Sequence, residues 1–88
     1  VYTSIACVYD DQVETDVVIT EVTFDDIDSE AMARYWQTGE PLDKAGSYAI
    51  QGLGAVFVRR ISGSYTGVVG LPVFETSRLL ASFGVEAL

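Results

Sequence analysis

The chain has 88 residues, enough for one small domain, and its 49% hydrophobic and 20% charged residues are typical of a soluble globular protein. A net charge of −8 with five bases argues against a nucleic-acid partner, which needs clustered Lys and Arg, and the lack of His excludes His-based chemistry. No apolar run reaches the roughly 18–20 residues of a membrane span, so we expect no membrane partner.

Two strand-like segments open the chain. Val1–Tyr9 is rich in β-branched and aromatic residues, and Val13–Phe24 alternates apolar and polar residues in its second half. A polar break at residues 10–12 separates them, so we predict an antiparallel hairpin. Cys7, the only cysteine, is expected to be a small core residue. It excludes an internal disulfide, which fits a cytoplasmic location.

A helix is predicted next. Asp28 or Ser29 can cap its N-terminus, Gly39 is placed to end it, and Pro41 prevents its continuation. The apolar residues of this helix share one face, which predicts packing on the core: Met32, Tyr35 and Trp36. The acidic residues around its start are typical of a helix N-terminus, with metal binding as the alternative: Asp25, Asp26, Asp28 and Glu30.

The second half of the chain predicts two more strands and a helix. Ala55–Ile61 and Tyr65–Val69 are strand-like, the Ser-Gly-Ser run at residues 62–64 predicts a tight turn, and Pro72 can occupy the first turn of the last helix. The order is β-β-α-loop-β-β-α, which is a mixed α/β (α+β) architecture.

The connection between the halves, Gly39–Gly54 (GEPLDKAGSYAIQGLG), is long, and long loops in compact domains are often functional. Lys44, the only lysine, is a natural partner for phosphate oxygens. The glycines of this loop would let a ligand approach the backbone. Gln51 offers an amide that can contact the polar edge of a base.

Each of these features has a structural alternative. Lys44 can be a solvated charge or an ion-pair partner of Asp43 or Glu40. Gln51 can instead tie down the loop backbone, and the glycines can serve turns alone. The loop matches neither a Walker phosphate loop nor the GxGxxG dinucleotide motif. From the residues alone, it predicts no more than a small-ligand loop.

The run Gly39–Gly54 resembles the signature GEPxDKAGxYxIQGxG of the Maf family of nucleotide pyrophosphatases. The segment Ser64–Pro72 is similar to the family's xYxxVVGLP, which leads into its last helix. The resemblance covers nearly the whole chain. It implies an ITPase-like α/β fold, with an elongated mixed sheet and flanking helices, of which this chain is one part.

The resemblance implies a function as well. Maf proteins hydrolyse nucleoside triphosphates to monophosphates and pyrophosphate with a divalent metal, Mg or Mn, and are associated with inhibition of septum formation. Gln51 matches the family's Gln that contributes to base specificity in the branch that prefers dTTP and UTP. The other branch, which prefers 7-methylguanosine triphosphate, loses the Lys and replaces the Gln with Glu. Asp43, Lys44 and Gly46 match motif positions and are expected to bind substrate with Gln51.

The residues that match correspond to the family's C-terminal half. The family's phosphate loop, SxSPRR, and its catalytic Asp lie in an N-terminal half that cannot be mapped here. Val1 stands in place of Met inside a strand-like run, so we expect the chain to be part of a longer protein. We expect residues 1–88 to be the C-terminal part of a single Maf-like domain, which needs its N-terminal half for activity and forms a homodimer.

Two hypotheses for function follow. In the first, the chain is part of an enzyme, a dTTP/UTP pyrophosphatase whose catalytic residues lie outside it, so that these residues alone are inactive. In the second, it is a non-catalytic module that binds a nucleotide or a protein and regulates septum formation. The two hypotheses differ in one requirement, since the enzyme needs an N-terminal half from another segment and the non-catalytic module does not.

Overall fold

A computed structural model describes all 88 residues, which form four strands, three α-helices and two short 3₁₀ helices. The strands are β1 (Tyr2–Tyr9), β2 (Gln12–Ile19), β3 (Glu21–Phe24) and β4 (Val58–Ser62). The α-helices are α1 (Ser29–Gln37), α2 (Tyr65–Val69) and α3 (Val73–Ser82), and the 3₁₀ helices are Ala45–Ser47 and Leu53–Phe57. The predicted mixed α/β class is confirmed.

The chain divides into two compact units. The hairpin unit comprises Val1–Glu21 and Ser62–Leu88, and the loop unit comprises Val22–Ile61. Strand β1 pairs with β2 in one two-stranded sheet, and β3 pairs with β4 in another. The loop unit contains the whole of the motif run Gly39–Gly54, so it is the unit that positions the candidate site.

The hairpin is antiparallel, as predicted, with Tyr9 opposite Gln12 and Tyr2 opposite Ile19. Asp10 at the turn adopts a φ of 52°, a left-handed conformation that Asp tolerates better than most residues. Helix α3 packs against both strands. Cys7 is half-buried and unpaired.

The predicted single strand Val13–Phe24 is wrong in one respect, because it changes sheets at Thr20. This residue is buried, with 2% of its surface exposed. Its backbone exchanges two hydrogen bonds with Val1, at 2.7 and 2.8 Å, and its hydroxyl accepts the backbone N–H of Ser64 at 3.0 Å. The segment before Thr20 pairs with β1 and the segment after it pairs with β4.

Helix α1 begins as predicted. The Asp28 side chain accepts the backbone N–H of Ala31 at 2.7 Å, which satisfies one of the N–H groups left free at a helix N-terminus. Gly39, with a φ of 79°, follows the last turn and lets the chain leave the helix in a left-handed conformation.

Two strand predictions in the second half need correction. Tyr65–Val69 is α2, because the hydroxyl of Ser64 accepts the N–H of Gly67 at 2.9 Å and caps a helical turn despite the β-branched residues. The strand predicted at Ala55–Ile61 begins only at Val58, since the backbone before it curls into a 3₁₀ helix. The observed order is β-β-β-α-loop-β-α-α.

Few apolar side chains are enclosed by this chain. Val18 and Ala49 are its buried hydrophobic residues, while many large ones stay exposed. In α1, Tyr35 is half-buried, but Met32 and Trp36 are 52% and 59% exposed, so the predicted core-facing stripe is wrong for those two. None of the helices is long and apolar enough to cross a membrane.

Candidate functional site

The loop from Gly39 to Phe57 is a series of tight turns rather than an open excursion. The N–H of Lys44 donates to the carbonyl of Pro41 at 3.3 Å, and the N–H of Ser47 donates to the carbonyl of Lys44 at 3.0 Å. A second turn closes where the N–H of Gly52 donates to the carbonyl of Ala49 at 3.1 Å. We call residues 49–52 the Gln51 turn. These local bonds satisfy backbone groups that make no sheet hydrogen bonds.

The four residues predicted to bind substrate lie in these turns, and all are exposed: Asp43, Lys44, Gly46 and Gln51. Asp43 and Gly46 have left-handed backbones, with φ of 62° and 75°, and so does Ser47, with φ of 59°. Such a conformation costs a non-glycine residue about 1–2 kcal/mol. The turn 41–47 is therefore held in a shape that its residue types do not favour by themselves.

An aromatic contact anchors this first turn. A Cβ placed on Gly46 would lie 3.2 Å from the ring of Tyr48, so the glycine is needed both for its φ and for room. The ring of Tyr48 packs edge-on against Phe24, with centroids 5.0 Å apart and an interplanar angle of 86°. Gly46 thus serves the packing of the turn, and its exposed backbone remains accessible to a ligand.

The carboxylate of Glu40 organises the second half of the loop. It accepts the backbone N–H of Leu53 at 2.8 Å and that of Gly54 at 2.8 Å, one on each oxygen. It also accepts the hydroxyl of Tyr35, which projects from α1. A carboxylate accepts several hydrogen bonds at once and donates none, which suits a position facing three donors.

Tyr35 extends the same arrangement to the other side of the Gln51 turn. Its hydroxyl donates to Glu40 and accepts the backbone N–H of Ala49 at 3.0 Å. Its ring packs edge-on against Phe57, with centroids 5.3 Å apart. The Tyr35–Glu40 pair therefore holds the backbone both before and after Gln51.

The glycines after Gln51 make room for this pair. A Cβ on Gly52 would lie 2.2 Å from a carboxylate oxygen of Glu40, and a Cβ on Gly54 would lie 2.5 Å from the hydroxyl of Tyr35. Both distances are far below van der Waals contact. The prediction that these glycines let a ligand approach the backbone is wrong for Gly52 and Gly54, because the protein's own side chains occupy that space.

The hydrogen bonds of the pair shift both pKa values. The bond from Tyr35 lowers the pKa of Glu40, and the N–H groups of Leu53 and Gly54 and the charge of Lys44 act in the same direction. Burial raises the pKa of Tyr35, and its bond to the Glu40 carboxylate raises it further. At neutral pH the pair therefore consists of an ionised carboxylate and a neutral phenol.

Gln51 and Lys44 are left free by these contacts. The Gln51 side chain is exposed and makes no hydrogen bond within the chain, so it does not tie down the loop as the alternative supposed. Lys44 makes no ion pair, whereas Arg34 and Glu30 form one at 3.5 Å on the surface of α1. An unused amide and an unused ammonium on adjacent turns are available to a ligand.

An open, largely apolar groove lies on the same unit, with Tyr35 and Phe57 among its lining residues. None of the four predicted binding residues contributes to it. Besides Lys44, the basic side chains of the loop unit are Arg34, which lines the groove, and Arg59 and Arg60 on β4, which are exposed. The groove and the predicted binding residues are therefore separate features of the unit.

The side chains of this chain do not provide a metal site by themselves. No group of three or more Cys, Asp or Glu residues is arranged to hold a metal ion. The acidic residues near α1 have other roles, since Asp28 caps the helix and Glu30 pairs with Arg34. The residues present therefore do not fit, by themselves, the divalent metal that the resemblance implies.

Glu40 and Tyr35 were missed as organising residues when the sequence was considered alone. The sequence presents Glu40 only as an ion-pair partner of Lys44, and Tyr35 only as part of an apolar stripe. Their backbone partners lie 13 or 14 residues away. The available signal was the pair of glycines at 52 and 54, which marks a place where something packs on the backbone.

Comparison with known proteins places this chain in a family. A family model described as Maf-like protein matches residues 1–83. A dTTP/UTP pyrophosphatase of Pseudoalteromonas atlantica is 54% identical over 81 residues, which cover 92% of this chain and 42% of the relative. One of Saccharophagus degradans is 63% identical over 67 residues, which cover 76% of this chain and 32% of the relative.

A third relative, from Vibrio parahaemolyticus, carries the same name and is 53% identical over 83 residues, covering 94% of this chain and 44% of the relative. The chain therefore spans less than half the length of the curated relatives that it matches.

Proposed function

Since the chain belongs to the Maf family, we propose that it forms part of a nucleoside triphosphate pyrophosphatase that hydrolyses dTTP and UTP to the monophosphate and pyrophosphate. Relatives that carry the name dTTP/UTP pyrophosphatase support the reaction. The structural observation that carries the proposal is the Gln51 turn. It presents a free amide on a backbone that is fixed on both sides.

Gln51 is proposed to select the base. A pyrimidine such as thymine or uracil presents a carbonyl oxygen and an N–H side by side, and an amide offers the complementary donor and acceptor. Because guanine carries the same pair on a larger ring, the fixed position of the Gln51 amide, together with its hydrogen bonds, is proposed to set the preference for pyrimidines. Because the Gln51 amide has no partner within the chain, binding a base would break no hydrogen bond of the folded chain.

Lys44, Asp43 and Gly46 are proposed to complete the substrate contacts from the first turn. The Lys44 ammonium is exposed and free of an ion pair, so it can face a phosphate oxygen. Asp43 and Gly46, both left-handed, set the direction in which this turn presents Lys44. Gly46 also leaves backbone exposed beside it.

The remaining parts of the proposal come from the resemblance. The catalytic Asp and the phosphate loop lie outside these residues, in the family's N-terminal half, and the reaction is expected to use a divalent metal, Mg or Mn. We further propose a homodimer and a role linked to septum formation on the same basis, and a cytoplasmic location because the single Cys7 forms no internal disulfide. These 88 residues alone are expected to be inactive.

The test uses a chimera in which this chain replaces the matching 81-residue segment of the Pseudoalteromonas atlantica relative. Pyrophosphate release is measured from dTTP, UTP and 7-methylguanosine triphosphate with Mg or Mn. Gln51→Ala is compared with Gln37→Ala, a matched control at an exposed glutamine on α1. The chain alone is assayed in parallel.

We expect the chimera to prefer dTTP and UTP and the chain alone to release nothing. Gln51→Ala should reduce this preference by about 3- to 10-fold, the worth of one hydrogen bond, and Gln37→Ala should not change it. A folded chimera that cleaves none of the three nucleotides would sink the enzyme proposal and favour the non-catalytic module. A preference unchanged in Gln51→Ala would remove Gln51 from base selection.

A further inference from the structure

We propose that Glu40 and Tyr35 act as a pair of positioning residues that fix the Gln51 turn, so that the nucleotide selectivity of the site depends on them although neither contacts the base. This inference rests on the proposed function, because it concerns the same site.

The geometry brackets Gln51 on both sides. Two residues before it, the N–H of Ala49 is held by the hydroxyl of Tyr35 at 3.0 Å. Two and three residues after it, the N–H groups of Leu53 and Gly54 are held by the two oxygens of Glu40. Since Tyr35 and Glu40 are hydrogen-bonded to each other, the backbone on both sides of Gln51 is held by one pair of side chains at the end of α1.

The position of the Tyr35–Glu40 pair is determined by the fold around it. Tyr35 lies in the last turns of a capped helix and packs on Phe57. Glu40 follows the left-handed Gly39 directly, and its own N–H donates to the hydroxyl of Thr38 at 3.2 Å. The Gln51 turn is thus anchored to helix α1 through the Tyr35–Glu40 pair and not only to other loop residues. A site held by such supporting contacts keeps its binding group within the narrow tolerance that selectivity needs.

The chemistry of Glu40 cannot be replaced by an amide of the same shape. Its two oxygens accept from three donors, namely the hydroxyl of Tyr35 and two backbone N–H groups. Glu40→Gln replaces one acceptor with a donor, so at least one of the N–H groups after Gln51 must lose its partner. Tyr35→Phe removes the acceptor of the Ala49 N–H but leaves both backbone bonds of Glu40 in place.

The experiment measures selectivity in the chimera as the ratio of kcat/KM for dTTP to that for 7-methylguanosine triphosphate. This ratio does not depend on the fraction of protein that is folded, so a merely structural role would not move it. The variants are Glu40→Gln, Tyr35→Phe, Gln51→Ala and the double variant Glu40→Gln/Gln51→Ala. Glu30→Gln is the control, because it removes the same charge from an exposed position on α1.

A second readout is independent of activity. Amide hydrogen exchange is followed by NMR at the residues that the pair holds. In Glu40→Gln we expect faster exchange at Leu53 or Gly54, according to which N–H loses its acceptor, and in Tyr35→Phe we expect it at Ala49. The N–H of Met32, which bonds to the carbonyl of Asp28 within α1, should keep its protection in every variant.

We expect Glu40→Gln to lower the selectivity ratio by about 3- to 10-fold, as Gln51→Ala does, and Tyr35→Phe to lower it less. The double variant should fall no more than about 2-fold below Gln51→Ala, since both changes disable one function. An unchanged ratio in Glu40→Gln, or an additive loss in the double variant, overturns the inference while leaving the pyrophosphatase proposal intact. An inactive parent chimera overturns the pyrophosphatase proposal first.

Discussion

Gly54→Ala is the substitution whose effect the structure defines most sharply. The added Cβ would lie 2.5 Å from the hydroxyl of Tyr35, 2.9 Å from the carbonyl oxygen of Ala49 and 3.1 Å from its nitrogen. Two of these three atoms belong to the backbone, so they cannot swing aside as a side-chain end can. The φ of Gly54 is not in the left-handed region, and the cost therefore comes from crowding alone.

The expected loss can be worked from these contacts. Overpacking of this kind costs about 1–3 kcal/mol. Displacing the Tyr35 hydroxyl also breaks its bond to the N–H of Ala49, for about 0.5–1.5 kcal/mol. We therefore expect Gly54→Ala to lower the free energy of unfolding by about 2–4 kcal/mol. In a domain of 150–250 residues this corresponds to a fall in Tm of roughly 5–15 °C.

Thermal unfolding of the chimera by circular dichroism measures this effect. The Tyr35→Phe background provides an internal control, because it removes the atom closest to the new Cβ. There Gly54→Ala should cost about 1 kcal/mol less, as expected for groups in direct contact. A decrease in Tm smaller than about 2 °C would refute the packing of Tyr35 on Gly54. So would an equal loss of unfolding free energy in the two backgrounds.

Three further predictions concern the same contacts and one helix cap. Because the pKa of Glu40 is lowered from 4.5 in the folded state, its contribution to stability is present above pH 4.5 and lost as pH falls through the lowered value. Glu40→Gln should accordingly weaken the fall in the free energy of unfolding, measured with urea, as the pH is lowered. An unchanged fall at acid pH would contradict the hydrogen bonds of the Glu40 carboxylate. Because burial and the bond to Glu40 raise the pKa of Tyr35 above 10.0, ultraviolet titration should show a tyrosine that ionises above the usual range, and Tyr35→Phe should remove that ionisation. Ser64→Ala should cost about 1 kcal/mol through loss of the cap on the N–H of Gly67, with Ser62→Ala as a control that leaves Tm unchanged.

The elements predictable from the sequence are those whose signals are local. The hairpin follows from two strand-like segments on either side of a polar break, and its register agrees with that break. The start of α1 follows from Asp28, whose side chain needs only a backbone N–H three residues ahead. Each of these signals lies within one or two turns of the structure that it specifies.

The errors arise where two local signals compete or where a distant partner decides. In Tyr65–Val69 the β-branched residues favour a strand, but the cap from Ser64 and the left-handed Gly70 favour one helical turn, and the helix is observed. At Thr20 the alternation continues without interruption, yet the strand changes sheets because Thr20 bonds to Val1 and to Ser64, 44 residues away. Nothing near Thr20 in the sequence reports these partners.

The resemblance and the structure identify different residues in and around the motif. Similarity to a family singles out Gln51, whose side chain has no role in holding the fold. The structure singles out Glu40 and Tyr35, whose side chains are fully engaged within it. Gly52 and Gly54 belong with the second group, because a side chain at either would collide with the pair. Gln51 is therefore free to bind, whereas three motif residues and Tyr35, which precedes the motif, fix where Gln51 points. Only variants that separate these roles can show which residues select the nucleotide.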